Sequence, residues 1–357
     1  MKKLGLILLA CLLVAAIAAA AGGYVLYSRV NEPFRGYDAD AQLVEIPAGS
    51  GTRTIGDRLI SAGVVRDELT FRAALWLSGD ARRLKAGEYR FDRPMTARDV
   101  LAKIARGEVD LVQVTFREGL TIAEMAAIFE SEQLGTAAAF REAAKNGATL
   151  VHAVDPAATD LEGYLFPETY SVSRRIAADE LVRAMVGRFL EVLTPELRAK
   201  AQARGLSVRQ LVTLASIVEK ETGAGSERPL VAAVYSNRLR IGMGLQCDPT
   251  VIYALQRAGR FDGNLRRDDL SFDSPYNTYR YPGLPPGPIA APGRESLQAA
   301  ASPADADYLY FVSRNDGSHA FARTLDEHNR NVQKFQVQYF RDRRAAERRR
   351  QAGESAR

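Results

Sequence analysis

The first strong pattern along the chain is an apolar run from Leu4 to Tyr27 that contains no charged residue. A helix needs about 20 apolar residues to cross a bilayer, so residues 4–27 are expected to form a transmembrane anchor. Lys2 and Lys3 precede the run, which assigns residues 1–3 to the cytoplasm and everything after Arg29 to the outside. Two other readings compete with an uncleaved anchor. Ala18 to Ala21 offers a signal-peptidase site, and Leu8-Leu9-Ala10-Cys11 has the look of a lipoprotein box, placed too early. Residues 28–40 are polar and irregular and are read as a stalk.

Alternation then replaces the apolar run. Leu43-Val44-Glu45-Ile46 alternates as a strand, Ala48-Gly49-Ser50-Gly51 turns, and Thr54 is read as opening a helix with Ile55, Leu59 and Ile60 on one face. A second helix is expected over Thr70 to Leu77, a strand at Tyr89-Arg90-Phe91, and a Thr96-capped helix carrying Val100, Leu101 and Ile104. A weak repeat follows. The segment from Val114 to Gly119 leads to a helix starting at Thr121, as the segment from Val44 to Gly49 leads to one near Thr54. In pattern, this strand–helix–helix–strand order resembles the LysM glycan-binding module, and residues 41–119 are read as a small LysM-like α/β subdomain; a plain spacer is the competing reading. Residues 120–150 read as a helical connector. Residues 151–340, richer in Pro, Gly, Tyr and Asn, read as a larger mixed domain that carries the chemistry. Residues 341–357 form a basic tail. The fold class expected is α+β.

Within the larger domain one helix stands out. Ser207 and Gln210 have capping-box spacing, and Gly223 is placed to end the helix as its C′ residue. At 100° per residue Leu214, Ile217, Val218 and Glu221 share a face, so Glu221 extends an apolar stripe. Burial there and the negative end of the helix dipole both favour a neutral carboxylic acid, the form that donates a proton. An ion pair with Arg228 or Arg238 is the alternative for Glu221. Glu219 falls to one side of the stripe. Asp248 before Pro249 has the place of an N-cap. The stretch from Leu161 to Tyr170 and the Tyr-Asn stretch from Ser274 to Tyr279 offer aromatic faces and amides that suit sugars. Tyr308 to Val312 and His319 to Ala322 read as a hairpin across Asn315-Asp316-Gly317, with Tyr310, Phe311 and Phe321 assigned to the core.

Composition narrows the possibilities further. Hydrophobic residues make up 46%, an ordinary globular value. The net charge of +5, from 48 basic and 43 acidic residues, sits at the chain ends and forms no basic stripe with interleaved aromatics, which argues against a nucleic-acid partner. Cys11 and Cys247 offer no disulfide. His152, His319 and His328 lack ligand spacing, so neither a metal nor any cofactor is expected.

The motifs Leu161-Glu162-Gly163-Tyr164-Leu165-Phe166-Pro167, Ala215 to Thr222, Asn237-Arg238-Leu239, Leu245-Gln246, Asp248-Pro249-Thr250-Val251, Tyr276-Asn277-Thr278-Tyr279, Gly283 to Ile289 and His328-Asn329 together resemble the YceG-like endolytic murein transglycosylases. The resemblance implies an inner-membrane, single-pass protein with a periplasmic catalytic domain. It implies peptidoglycan glycan strands as substrate and the cell-wall synthesis machinery as a partner. It further implies that Glu221, the second glutamate of the Glu-Lys-Glu pair, is catalytic. Glu162, Gln246, Tyr276, Asn277 and Glu219 are the candidates for binding sugar. Two positions depart from the family pattern: Cys247 stands where a small polar residue is usual, and Glu168 where Asp is common. The activity expected is lytic cleavage of the β-1,4 bond between N-acetylmuramic acid and N-acetylglucosamine, with 1,6-anhydro ends. A hydrolytic muramidase using Asp248, and a noncatalytic wall-binding division scaffold, are the alternatives.

Overall fold

The structure is a computed structural model that describes residues 2–354. Residue 1 of the predicted cytoplasmic segment and residues 355–357 of the basic tail lie outside the described residues. The chain divides into two compact units, residues 1–113 with 171–175 and residues 114–170 with 176–357.

The first unit starts with helix α1 (Lys2–Asn31) and continues through β1 (Gln42–Ile46), α2 (Thr52–Ser61), α3 (Glu68–Ser78), β2 (Gly87–Phe91) and α4 (Ala97–Arg106). Residues 11–31 of α1 are long and apolar enough to cross a membrane. β1 and β2 pair antiparallel with Val44 opposite Tyr89, and both side chains are buried. The helices cover this two-stranded sheet with Ile55, Leu59, Phe71, Val100, Leu101 and Ile104. Thr96 caps α4 as expected. α2 begins two residues before Thr54, at Thr52, with Gly51 as a cap that gives no side-chain bond, so the predicted Thr cap is absent. α3 also starts early, at Glu68, because Asp67 accepts the Thr70 N–H.

β3 (Leu111–Thr115) and β4 (Thr169–Ser173) form a two-stranded sheet, and the chain passes from one unit to the other within each of them. The second unit holds α5 (Ile122–Ser131), α6 (Ala137–Asn146), α7 (Ala178–Val192), α8 (Pro195–Ala203), α9 (Val208–Glu221), α10 (Arg228–Arg240), α11 (Asp248–Arg257) and α12 (Arg294–Ala301). It ends with the hairpin β5 (Tyr310–Ser313) and β6 (His319–Ala322), then α13 (Leu325–Val332), a π-turn over Gln333–Gln338 and α14 (Tyr339–Glu354). Residues 120–150, read from the sequence as a connector, are α5, α6 and a short 3-10 turn inside this unit. Thr121 and Glu124 close a capping box at the start of α5.

α9 is the centre of the second unit. Its capping box between Ser207 and Gln210 is formed as predicted, and every residue from Leu211 to Val218 is buried. A helix buried all round is a core element rather than an amphipathic one. Small side chains let neighbours approach: Ala215 and Ser216 are fully buried, and the Ser216 hydroxyl accepts the Ile289 N–H at 3.1 Å, fixing the proline-rich loop 283–290 on the helix. The helix ends differently from expectation. Gly223 has no positive φ; Thr222 is the C-cap, in extended conformation, with its hydroxyl donating to Val218 O at 2.6 Å. That hydroxyl satisfies a terminal carbonyl that a left-handed glycine cap would otherwise have bonded.

Candidate active site

Glu221 is the last residue of α9, so its side chain leaves the core where the helix stops. The Tyr235 hydroxyl, from fully buried Tyr235 on α10, donates to Glu221 Oε1 at 3.1 Å. The buried Cys247 thiol also lies within hydrogen-bonding reach of the carboxyl. Burial raises the Glu221 pKa above the usual carboxylate range; the two donors pull it back, Asp248 pushes it up and His319 draws it down, and the net direction is upward. Neither arginine considered as a partner reaches Glu221. Arg228 bonds Glu219 at 3.0 Å and Glu118 at 3.2 Å, with Glu295 closer still. Arg238 donates to the carbonyls of Leu309 and Leu245, both at 2.7 Å, and to that of Gly244.

Glu219 is committed elsewhere: one oxygen takes Arg228 and the other accepts the Gly293 N–H at 2.9 Å, at the start of α12. Gln246 is exposed and sits between buried Leu245 and Cys247 at a left-handed φ of 51°. A non-glycine residue there is strained by about 1–3 kcal/mol, a cost that recurs at functional sites. Its backbone N–H bonds Thr278 O, and beside it Thr250 and Thr278 join hydroxyls at 2.9 Å, which fixes the loop from which the amide projects. Gln246 and Glu221 are therefore brought together through Cys247.

A second group forms around Glu162. That carboxyl is buried, accepts the Ile122 N–H at the start of α5 and the Tyr253 hydroxyl of α11, and is pushed up to about 8, chiefly by desolvation. Tyr276 is half-buried, packs on the Tyr253 ring at 5.0 Å between centroids, and carries the Arg257 guanidinium 5.3 Å above its ring. Asn277 is fully buried and its amide is fully used, donating to Leu270 O and Phe272 O and accepting from Tyr279 N. No group of Asn277 is left to meet a sugar.

Asp248 is the first residue of α11 rather than its cap. Cys247 holds the cap position without a side-chain bond, and Asp248 instead accepts the Tyr279 hydroxyl at 2.6 Å. Among the described residues no group of His, Cys, Asp and Glu is arranged to hold a metal. Sequence reasoning singled out neither Tyr235 nor His319 for the site, and it took Tyr279 only as part of the Ser274–Tyr279 stretch. The one available signal for His319 was strand alternation, which puts it on the same face as Phe321.

Known proteins resemble this chain over most of its length. An endolytic murein transglycosylase of Bacillus subtilis (strain 168) is 32% identical over 336 residues, covering 88% of this chain and 90% of that protein. One from Streptococcus pneumoniae serotype 2 (strain D39) is 31% identical over 345 residues, and there the match spans 62% of the longer relative. The crystal structure of a yceG-like protein from Listeria monocytogenes superposes with a TM-score of 0.56 at 31% identity, covering 82% of this chain and 98% of that one. The model of the YceG-like family matches residues 44–334, and the chain belongs to that family.

Proposed function

We propose that this chain is a membrane-anchored peptidoglycan lytic transglycosylase with Glu221 as its single acid–base group. The observation that carries the reading is the Glu221 carboxyl itself, placed at the end of a central helix, raised in pKa by burial and accepting the Tyr235 hydroxyl. The bond proposed is the β-1,4 link between N-acetylmuramic acid and N-acetylglucosamine in nascent strands. Glu221 gives its proton to the glycosidic oxygen as the C1–O bond breaks. The resulting carboxylate, stabilised by the Tyr235 hydroxyl, takes the proton from the muramic C6 hydroxyl. O6 then bonds C1 and closes a 1,6-anhydro ring. The intramolecular hydroxyl replaces both the nucleophile and the water of a two-carboxylate glycosidase, and its proximity lowers the barrier. Gln246, on its fixed and strained loop, and Tyr276, with its exposed ring portion, are the proposed sugar contacts. Asn277 closes the loop that carries Tyr276, Glu162 holds Tyr253 against which Tyr276 packs, and Glu219 ties α9 to α10 and the start of α12. Cleavage within nascent strands would end their elongation.

The family membership and α1 support the remaining parts of the proposal: a single-pass inner-membrane anchor, a periplasmic catalytic unit, and work beside the cell-wall synthesis machinery. For residues 41–119 a LysM-like glycan-binding role is supported by the β1–α2–α3–β2 order.

A water-using muramidase would need Asp248 as its second carboxylate. Digestion of purified glycan strands in heavy-oxygen water separates the two chemistries. Anhydro ends, lighter by one water and unlabelled, are expected; labelled reducing ends as the main product would overturn the lytic mechanism in favour of hydrolysis.

A further inference from the structure

The hairpin β5–β6 carries a clamped imidazole that neither gives nor takes a proton in the reaction proposed for Glu221. Both oxygens of Glu227 are spent on one residue: Oε1 accepts the His319 backbone N–H at 3.0 Å, and Oε2 meets His319 Nδ1 at 2.7 Å. Both side chains are largely buried, at 11% and 15% exposure. The imidazole is further fixed edge-on to Phe311, centroids 5.3 Å apart. Phe311 in turn meets the Tyr235 ring edge-on at 5.9 Å, and Tyr235 donates to Glu221. The backbones also converge. Gly223, two residues beyond Glu221, backs onto the carbonyl of Gly317, two residues before His319, where an added Cβ would lie 3.6 Å away. His319 is thus a clamped imidazole beside the end of α9.

A carboxylate only accepts hydrogen bonds, so the proton of the neutral ring is held on Nδ1, and Nε2 on the far side of the ring presents a lone pair. Nε2 has no protein partner among the described residues. A clamp that fixes backbone, ring plane and tautomer together exceeds what is needed to tie a hairpin down.

We propose that His319, oriented by Glu227, is a substrate-positioning residue whose Nε2 accepts a hydrogen bond from an O–H or N–H donor of the glycan held at Glu221. The proposal rests on the transglycosylase reading of the site. Hydroxyls and acetamido N–H groups are the donors such a strand offers. A fixed acceptor would hold one sugar in register while the single carboxyl handles both proton transfers.

Glu227→Gln is the discriminating variant. An amide has one oxygen and one NH2, so it can keep both bonds to His319 only by donating to Nδ1. That reverses the tautomer and turns Nε2 into a donor. The expected result is a thermal midpoint near that of the parent, a 15N imidazole signature of the opposite tautomer, and kcat/KM for glycan cleavage about 10–100-fold lower, by analogy with the loss of a partner that orients a metal-bound imidazole. His319→Asn, which keeps a donor near the Nδ1 position and removes Nε2, should show a similar loss and, combined with Glu221→Gln, bind glycan strands several-fold more weakly than Glu221→Gln alone. Cleavage within twofold of the parent in Glu227→Gln with the tautomer reversed, or unchanged strand binding in the His319→Asn pair, overturns the proposal. Failure of the underlying reading looks different: full cleavage by Glu221→Gln, whatever happens at His319.

Discussion

Two hydrogen-bond donors and a desolvating shell act in opposite directions on the carboxyl of Glu221. The shell favours the protonated acid that the proposed first proton transfer requires; the donors favour the carboxylate that the proposed second one requires. Neither the helix stripe nor the dipole alone produces this balance, because α9 is buried all round and the environment of Glu221 comes from α10 and the loop before α11. The consequence is a testable pH profile. A general acid is lost as pH rises through its pKa, so a raised pKa moves the basic limb of kcat/KM above the ordinary carboxylate range. Tyr235→Phe removes a donor that lowers that pKa. The basic limb should therefore move further up, by about 1–2 pH units if the bond is worth the 1.5–3 kcal/mol typical of a charged acceptor, while kcat falls because the carboxylate is less stabilised. A limb that moves down, or stays in place, would show that Tyr235 does not act on the titrating group. Glu221→Gln should lower cleavage by about 10²–10⁴-fold, the usual worth of a general acid–base group, with the thermal midpoint nearly unchanged.

At the level of elements, Glu162 ties the start of α5 to α11 through Ile122 N–H and the Tyr253 hydroxyl, and burial pushes it up to about 8. For a carboxyl raised in the fold, the neutral form is the one the fold prefers. Stability is therefore fully present below the unfolded pKa of about 4.3 and falls as pH climbs from there to about 8, by roughly 1.4 kcal/mol per unit at most. Glu162→Gln keeps the shape and cannot ionise. Its thermal midpoint should match the parent near pH 4, exceed it increasingly towards pH 8, and hold a constant lead above that; a lead independent of pH would place the buried charge elsewhere. The same residue shows what the sequence could and could not disclose. Signals closed within a few residues were legible: the Ser207–Gln210 box, the Thr96 cap, and the β5–β6 hairpin with Asn315 and Gly317 at positive φ. Where two local signals competed, the reading slipped. Thr222 ended α9 before Gly223 was needed, and Asp248 found a tyrosine hydroxyl in place of a helix end. Partners distant in the chain left no periodic trace. Glu162 with Tyr253, Glu219 with Arg228 and Gly293, and Glu227 with His319 each join segments that only the packed unit brings together. Asn277 read as a sugar ligand because an amide beside tyrosines has that composition, whereas in the fold its bonds close its own loop.

On the scale of the whole molecule, α1 joins two kinds of environment within one helix. Most of its described side chains are exposed, as lipid-facing residues would be, yet Val30 near its end is fully buried with Ile55, Leu59 and Phe71 in the core of the first unit. Arg29 adds an ion pair to Asp67 at 3.7 Å, but both partners are over a third exposed, so the pair contributes little. The fold of the first unit therefore reaches back into the apolar helix, and the place of a cut decides what is lost. A chain starting at Ser28 removes the membrane-length run and retains Val30. It should be soluble without detergent and keep the stability of the first unit. A chain starting at Glu32 removes four more residues and empties the Val30 position, which should cost about 1.5–3 kcal/mol, the usual worth of a fully buried aliphatic side chain. Because Val30 packs only within the first unit, the loss should appear as faster amide exchange along β1 and β2, with exchange in α9 unchanged. Equal exchange along β1 and β2 in the two chains would mean that Val30 covers the core without stabilising it, and aggregation of the chain from Ser28 would mean that apolar surface beyond α1 also needs the membrane.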